Sequence, residues 1–160
     1  MTAFRTFSLI ASLALAGVSI AGCGKKAATV GQQYSPETRP LVVTAVPLLV
    51  HEQTGTFDYL KKAFAKGGIL NGKEVWGFAP SSITVYRGDT LKLTFVNPGD
   101  DPHTFTIDAL AINAAIAGGT TSETSFVANR VGVYRFYCAI PEHAPYMSGT
   151  VTVLPEASAG

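Results

Sequence analysis

The sequence predicts one all-β domain, a sandwich of short strands with one short helical insertion. From Gly72 onward, runs rich in β-branched and aromatic residues follow one another at short intervals, as a sandwich requires. Turn sequences separate several of these runs, at residues 87–89 and again at residues 97–100. The chain has 160 residues, of which 14% are charged, so one domain with a sizeable core is the expected organisation.

The first 22 residues predict an export signal. Arg5 supplies a positive charge, an apolar run extends from Leu9 to Ile20, and small residues directly precede Cys23. This end resembles a bacterial lipobox, which implies cleavage before Cys23 and attachment of diacylglycerol to its sulfur. Acyl chains would then hold the mature protein on a membrane without spanning it. The alternative is an uncleaved transmembrane anchor, for which the apolar run is short.

Either arrangement predicts an exported domain on the periplasmic or cell-surface side, and the lipobox predicts that lipid anchors it to a membrane. Gly24 stands where an Asp often retains lipoproteins in the inner membrane, which favours the outer membrane if the cell has one. Residues 24–40 are polar and lack either hydrophobic period, so they predict a flexible linker. The predicted division is a signal peptide at 1–22, a lipidated cysteine with linker at 23–40, a folded domain at 41–155 and a disordered tail at 156–160.

The first elements of the predicted domain are a strand and a helix. Residues 41–50 are apolar and β-branched, and Pro47 should force this strand to an edge or a bend. We expect His51, which follows, to be a surface or hydrogen-bonded residue at the strand end; a role as metal ligand is the weaker alternative. In residues 54–68, Phe57, Leu60 and Phe64 have helical spacing, which predicts an aromatic stripe packed on the sheet, or alternatively a docking face.

The later elements are mostly strands, predicted at 73–78, 82–86, 90–96 and 103–107. Residues 108–119 are rich in alanine and are ambiguous between a helix and an apolar loop. Residues 120–128 alternate again, and the next strand leads to Cys138. Its alternation should place Tyr134 and Phe136 on the same face as Cys138.

The segment from Tyr134 to Val153 holds a group of residues with metal-binding chemistry. Cys138, His143 and Met147 have the spacing C-x4-H-x3-M. A thiolate and imidazoles, with a weak thioether contact, suit a copper ion that must cycle between Cu(I) and Cu(II). A second imidazole must come from elsewhere, and His103 is the obvious donor. Singly, each residue has an ordinary explanation as core filling or a hydrogen-bonded polar group; together, at this spacing, they indicate a metal site.

These residues and their flanks resemble the cupredoxins, the small type 1 blue copper proteins. The sequence HTFTI is followed some thirty residues later by VGVYRFYC, PEH and MSGTVTV, and the ligand loop is spaced as in azurin. The resemblance implies a Greek-key β-sandwich that holds one copper ion. By this resemblance His103, Cys138 and His143 are the equatorial ligands and Met147 is the axial ligand.

The resemblance also assigns roles to residues around the ligands. Thr104 stands where many family members have Asn or Ser that hydrogen-bonds the loop bearing the cysteine, which implies that it orients ligands; alternatively it is an ordinary strand residue. Ala144, Pro145 and Tyr146 would surround an exposed edge of His143, where electrons enter and leave and partners dock. Glu142 departs from the usual P-G-H of the family and should alter charge complementarity with partners.

The expected function is single-electron transfer between redox partners such as cytochromes or membrane oxidoreductases, with no enzymatic activity and no small-molecule substrate. The chain has two cysteines, one for lipid and one for metal, which leaves none for a disulfide. It carries 12 Lys and Arg against 11 Asp and Glu, and without Arg5 of the signal peptide the mature chain is balanced. No basic stripe predicts nucleic-acid binding.

Several other copper proteins are alternatives. A copper delivery or buffering protein would favour exposed, Met-rich or flexible ligands, whereas this chain holds one Met beyond the signal peptide. A copper oxidase or nitrite reductase needs more histidines for a second copper, and the chain has three. A dinuclear copper site needs a second Cys in the loop, and a red copper site needs another His after Cys138 and a carboxylate ligand.

Overall fold

The structure is a computed structural model that describes residues 34–156, and in this part nine strands form two sheets. The all-β sandwich with a single short α-helix is therefore confirmed. The strands are β1 (Thr38–Leu49), β2 (Val75–Ala79), β3 (Ser82–Tyr86), β4 (Thr90–Val96), β5 (His103–Ile107), β6 (Ile112–Ile116), β7 (Thr121–Val127), β8 (Gly132–Tyr137) and β9 (Ser148–Leu154). The sheets have the orders β2-β1-β4-β7 and β3-β9-β8-β5-β6.

Strict alternation of apolar and polar residues builds the core between the sheets. In β4, Leu91, Leu93 and Phe95 are buried, while the residues between them lie toward solvent. In β8 the inward positions are Tyr134 and Phe136, and the row continues into Cys138, as predicted. Burial of each large apolar side chain contributes about 1.5–3 kcal/mol, so this pattern fixes which face of each strand points inward.

The alanine-rich segment at 108–119 is a strand, which corrects the expectation of a helix or an apolar loop. A single 3₁₀ turn (Asp108–Leu110) leads into β6, which pairs antiparallel with β5 from His103↔Ile116 to Ile107↔Ile112. Ile112 and Ile116 alternate with exposed residues, so the segment does have the period of a strand. Edge pairing with β5 overrides the helical preference of alanine.

Strand β1 is longer than predicted at its start. Over residues 38–44 it pairs parallel with β4, and over residues 44–49 it pairs antiparallel with β2, with a register shift between Pro47 and Leu49. Pro47 thus lies where β1 has one neighbouring strand and beside the register shift, which fits the prediction of an edge or a bend at this residue. Because residues 38–40 are strand, the folded domain begins before the predicted boundary at residue 41.

Other predictions for the chain termini lie largely outside the described residues. These are the signal peptide, lipidation of Cys23, most of the linker and residues 157–160 of the predicted tail. Glu156, the first residue of that tail, is described and pairs with Arg87 at 3.2 Å. Within residues 34–156, no helix is both long enough and apolar enough to cross a membrane.

The predicted helix is shorter than residues 54–68. A 3₁₀ turn (His51–Gly55) precedes α1 (Asp58–Phe64). Leu60 and Phe64 are buried in a small cluster that includes residues of β1 and β2, as the stripe predicts. The prediction that Phe57 belongs to this buried stripe is wrong, since Phe57 is 45% exposed. It precedes the helix in an extended conformation, so its side chain does not follow the helical spacing.

Candidate metal centre

Three neighbouring strands bring the predicted ligand residues to one end of the second sheet. His103 is the first residue of β5, Cys138 directly follows β8, and Met147 directly precedes β9. Because β5, β8 and β9 are adjacent, these positions lie side by side. The Cys138 N–H donates to the Met147 carbonyl at 3.0 Å, which closes the loop between β8 and β9 at its base.

Backbone hydrogen bonds fix His143 inside this loop. The Ile140 carbonyl accepts from the N–H groups of His143 and Ala144 at 3.0 and 2.9 Å. The His143 carbonyl in turn accepts from Tyr146 and Met147 at 3.1 and 2.9 Å. The loop is therefore a series of tight turns that presents one imidazole to the end of the sheet.

The donor atoms of three predicted ligands converge. The Nδ1 atoms of His103 and His143 are 3.2 Å apart, and Cys138 Sγ is 3.8 Å from His143 Nδ1. All three ligand atoms lie within 4.8 Å of one another, and all three residues are buried. Met147 is fully buried at the end of the loop, directly before β9. The structure thus brings together His103, Cys138 and His143, and Met147 follows His143 in the same loop.

This donor set fits copper. Two imidazole nitrogens and a sulfur face one another, and soft thiolate with imidazole selects copper or zinc over hard cations. Burial, assisted by the charge of His143 and opposed by Asp101, lowers the pKa of His103 to about 4. His103 is therefore neutral near pH 7, the state in which an imidazole binds a metal.

Thr104 makes the hydrogen bond to the cysteine loop that the family resemblance implies. The Ala139 N–H donates to Thr104 Oγ1 at 2.7 Å, which ties the cysteine loop to β5. The Thr104 N–H lies 3.4 Å from Cys138 Sγ and donates to it. One residue thus supports both the position of the loop and the negative charge of a thiolate.

Two residues near the imidazoles were missed by sequence reasoning. The indole of Trp76 on β2 lies with its ring centroid 4.8 Å from that of His103 and 6.4 Å from that of His143. Asp101 Oδ2 is 3.9 Å from His143 Nε2. The alternation of β2 could have predicted that Trp76 points inward. It could not have predicted that the indole meets His103, which lies on the other sheet.

The outer edge of His143 borders a hollow of about 530 Å³. His51, the third histidine, also lines this hollow; it is exposed and stacks on Phe64 with ring centroids 4.1 Å apart. Five carboxylates line the hollow against one lysine, Lys73; they are Glu52, Glu74, Asp100, Asp101 and Glu142. The predicted docking residues follow His143 in the loop, with Ala144 half-buried and both Pro145 and Tyr146 exposed.

The chain matches one protein family and is similar in sequence to several enzymes. Residues 71–153 match the family model described as a cupredoxin-like domain. The chain is 28% identical over 127 residues to a copper-containing nitrite reductase of Rhizobium sullae, covering 71% of this chain and 32% of the relative. It is 31% identical over 86 residues to the copper-containing nitrite reductase of Alcaligenes faecalis, covering 46% of this chain and 23% of the relative.

A solved structure has the same fold. A copper nitrite reductase from Nitrosomonas europaea superposes with a TM-score of 0.52 at 23% identity, covering 74% of this chain and 42% of that chain. The chain spans about a third or less of the length of the curated relatives above. The similarity therefore concerns one domain of larger enzymes.

Proposed function

Because the chain belongs to the cupredoxin-like domain family, we propose that it is a mononuclear type 1 copper protein that transfers single electrons. The observation that carries this proposal is the buried group of His103, Cys138 and His143, whose ligand atoms lie within 4.8 Å of one another. Met147 is the fourth ligand in this proposal. Copper bound to such a set supplies one-electron chemistry by cycling between Cu(I) and Cu(II).

The residues of this chain contribute rigidity and exclusion of water. His103 and Cys138 are held by paired strands, and the hydrogen-bonded loop holds His143. Cys138 and Met147 are fully buried, so solvent does not reach the sulfur atoms. A donor set that is fixed before the metal binds changes little between oxidation states, which suits electron transfer.

Two other copper functions are less well supported. A copper delivery protein needs ligands that open to a partner, whereas these four residues are buried at the ends of strands or in a bonded loop. A nitrite reductase activity needs a second copper with further histidines. Within residues 34–156 the histidine outside the cluster, His51, is stacked on Phe64, and we propose that this chain is not itself an enzyme.

We propose that redox partners meet the protein over His143. Pro145 and Tyr146 are exposed next to it and offer a small apolar contact, which suits brief encounters. The acidic hollow that His143 lines favours a partner with a basic surface, because opposite charges speed the encounter. Such partners would be cytochromes or membrane oxidoreductases.

The visible spectrum of the Cu(II)-loaded chain tests the function. We expect an intense absorption band in the red, as a blue copper protein has, and its complete loss in Cys138→Ala. His51→Ala is the matched control, since it removes a histidine outside the cluster and should keep the band. A colourless protein that binds only Cu(I) would favour copper delivery, and nitrite consumption by the copper-loaded chain would favour an enzyme.

We propose the lipid anchor at Cys23 from the signal-like sequence that precedes it. In cells fed a labelled fatty acid, we expect label on the chain and its recovery with the outer membrane fraction. Cys23→Ala should lose the label and leave the membrane, or keep an uncleaved signal peptide. Retention of the label by Cys23→Ala would contradict this assignment.

A further inference from the structure

Trp76 separates the two histidines from a hollow on the protein surface. This residue, the one tryptophan of the chain, is 3% exposed and points inward from β2. One side of its ring packs against His103, with centroids 4.8 Å apart and planes tilted by 59°. The indole also borders a hollow of about 500 Å³ that is lined by Pro98 and Gly99 among others.

The turn after β4 holds the indole in place. The Asn97 side chain is buried and donates to the carbonyls of Asp101 and Ala117 at 2.7 and 3.1 Å, while its oxygen accepts from the Gly99 N–H at 3.2 Å. A Cβ at Gly99 would lie 2.4 Å from Trp76 Cη2, so only glycine lets the turn close on the ring. The hydrogen-bonded turn therefore fixes the position of the Trp76 ring.

The second ring nitrogen of His103 lacks the partner that such nitrogens usually have. A histidine that binds metal through one nitrogen almost always donates its other N–H to a carboxylate, a carbonyl or water, which raises the basicity of the ligand. His103 Nδ1 faces the other donor atoms, and its Nε2 is buried without a hydrogen-bond partner among residues 34–156. Two aromatic rings of the described chain pack on His103, and they belong to Trp76 and His143.

We propose that Trp76 is a positioning residue that covers the Nε2–H of His103 with an aromatic surface and keeps every stronger acceptor away. Without a good acceptor the imidazole stays a weaker base. A weaker base lowers the affinity for Cu(II) more than the affinity for Cu(I). Trp76 would thereby raise the reduction potential of the centre. This inference rests on the proposed copper site and concerns how its potential is set.

The first test observes the proton itself. In the Cu(I)-loaded chain, which is diamagnetic, nuclear magnetic resonance should show the His103 Nε2–H shifted upfield by the indole and in slow exchange with water. A downfield signal, typical of a hydrogen-bonded imidazole N–H, would overturn the inference. The measurement does not depend on electron transfer to any partner.

The second test compares three substitutions by their reduction potentials. Trp76→Gln places an amide oxygen near Nε2 and should raise the ratio of Cu(II) to Cu(I) affinity by about tenfold, which lowers the potential by about 59 mV. Trp76→Phe keeps an aromatic face and should stay within about threefold of the wild type. Trp76→Leu, close in size to Gln but without an acceptor, is the matched control.

These outcomes distinguish the inference from the proposed function. An equal shift in Trp76→Gln and Trp76→Leu would show that lost packing changes the potential, and would contradict the inference alone. A chain without the Cys138-dependent absorption band would contradict the proposed function, and the inference with it. Thermal unfolding of each variant, followed by circular dichroism, verifies that the compared proteins are folded.

Discussion

Two of the buried polar groups in the described part of the protein, at Asp89 and at the metal centre, differ in how completely the chain satisfies them. Asp89 is fully buried in the turn before β4, and its carboxylate accepts four hydrogen bonds. One oxygen accepts from the Tyr34 hydroxyl and the Glu37 N–H, and the other from Arg39 Nε at 2.6 Å and the Tyr86 N–H at 3.0 Å. Every acceptor site of this group has a donor.

The metal centre has the opposite character. His103 Nε2 has no hydrogen-bond partner among the described residues, and the ligand atoms of His103, Cys138 and His143 lie buried within 4.8 Å of one another. Such an arrangement costs stability in the metal-free protein, because buried polar groups lose water without full compensation. The comparison teaches that a buried group with a donor for every acceptor maintains the fold, whereas a buried cluster of ligand atoms from three residues indicates a metal that the fold is built to receive.

The largest expected effect is the loss of the Asp89 carboxylate. In Asp89→Asn, an amide NH₂ faces two donors whichever way the side chain turns, so we expect the free energy of unfolding to fall by about 3 kcal/mol. Urea unfolding followed by circular dichroism measures it. Asp58→Asn, the same change at an exposed site on α1, should stay within about 0.5 kcal/mol of the wild type.

The two groups should be separable in this experiment. Asp89→Asn should retain the Cys138-dependent absorption band, because its contacts lie on the N-terminal segment and the turn before β4. If the variant loses the band while still folded, the two groups are coupled and the comparison fails. If it is as stable as the wild type, the four hydrogen bonds do not maintain the fold.

A smaller effect is expected from acid. Burial alone would raise the pKa of Asp89, but the hydrogen bonds from Tyr34, Glu37, Arg39 and Tyr86 outweigh it and hold that pKa well below its ordinary value. A carboxyl with a lowered pKa in the folded state stabilises the protein fully above its unfolded pKa of about 3.9, and this contribution is lost as the pH falls below that value. Unfolding of the metal-free wild type between pH 5 and pH 2 should therefore show a steeper loss of stability than Asp89→Asn; parallel curves would contradict this.

The metal centre should respond with the opposite sign. In the metal-free protein, His103→Leu replaces an unsatisfied polar ring by an apolar side chain, and we expect the free energy of unfolding to rise by about 1 kcal/mol. The same variant should lose copper binding. His51→Leu, at an exposed histidine, is the control and should change stability little. A loss of stability in His103→Leu would show that the imidazole contributes to the fold as Asp89 does.

Much of the fold was predictable because its signals are local. Strands at 82–86, 90–96 and 103–107 have the predicted bounds, since each alternates strictly and is bordered by turn residues. Strand β6 was missed because alanine weakens the alternation, and its identity depends on pairing with β5. Phe57 was misplaced because helical spacing does not show where the helix begins.

The candidate site also contains residues that local sequence spacing predicts and residues that only the packing of the sheets brings together. Cys138, His143 and Met147 lie within one loop, so their spacing alone predicted that they meet, and His103 was added because the donor set needed another imidazole. Trp76 could not be found in this way, because its contact with His103 depends on how β2 packs across the sandwich. The acidic hollow likewise combines residues from several separate loops.

The smallest expected effect concerns the acidic hollow beside His143, where the metal centre reaches the protein surface. Glu142 is exposed beside His143, so Glu142→Gln should lower the rate of electron transfer with a basic cytochrome about two- to threefold at low salt. The difference should vanish near 1 M salt, where the screening length is about 3 Å. Glu123→Gln is the matched control, because it removes the same charge from β7, where Glu123 pairs with Lys92. Stopped-flow measurement over a salt series decides the point: equal rates for both variants would show that partners do not approach over the acidic hollow.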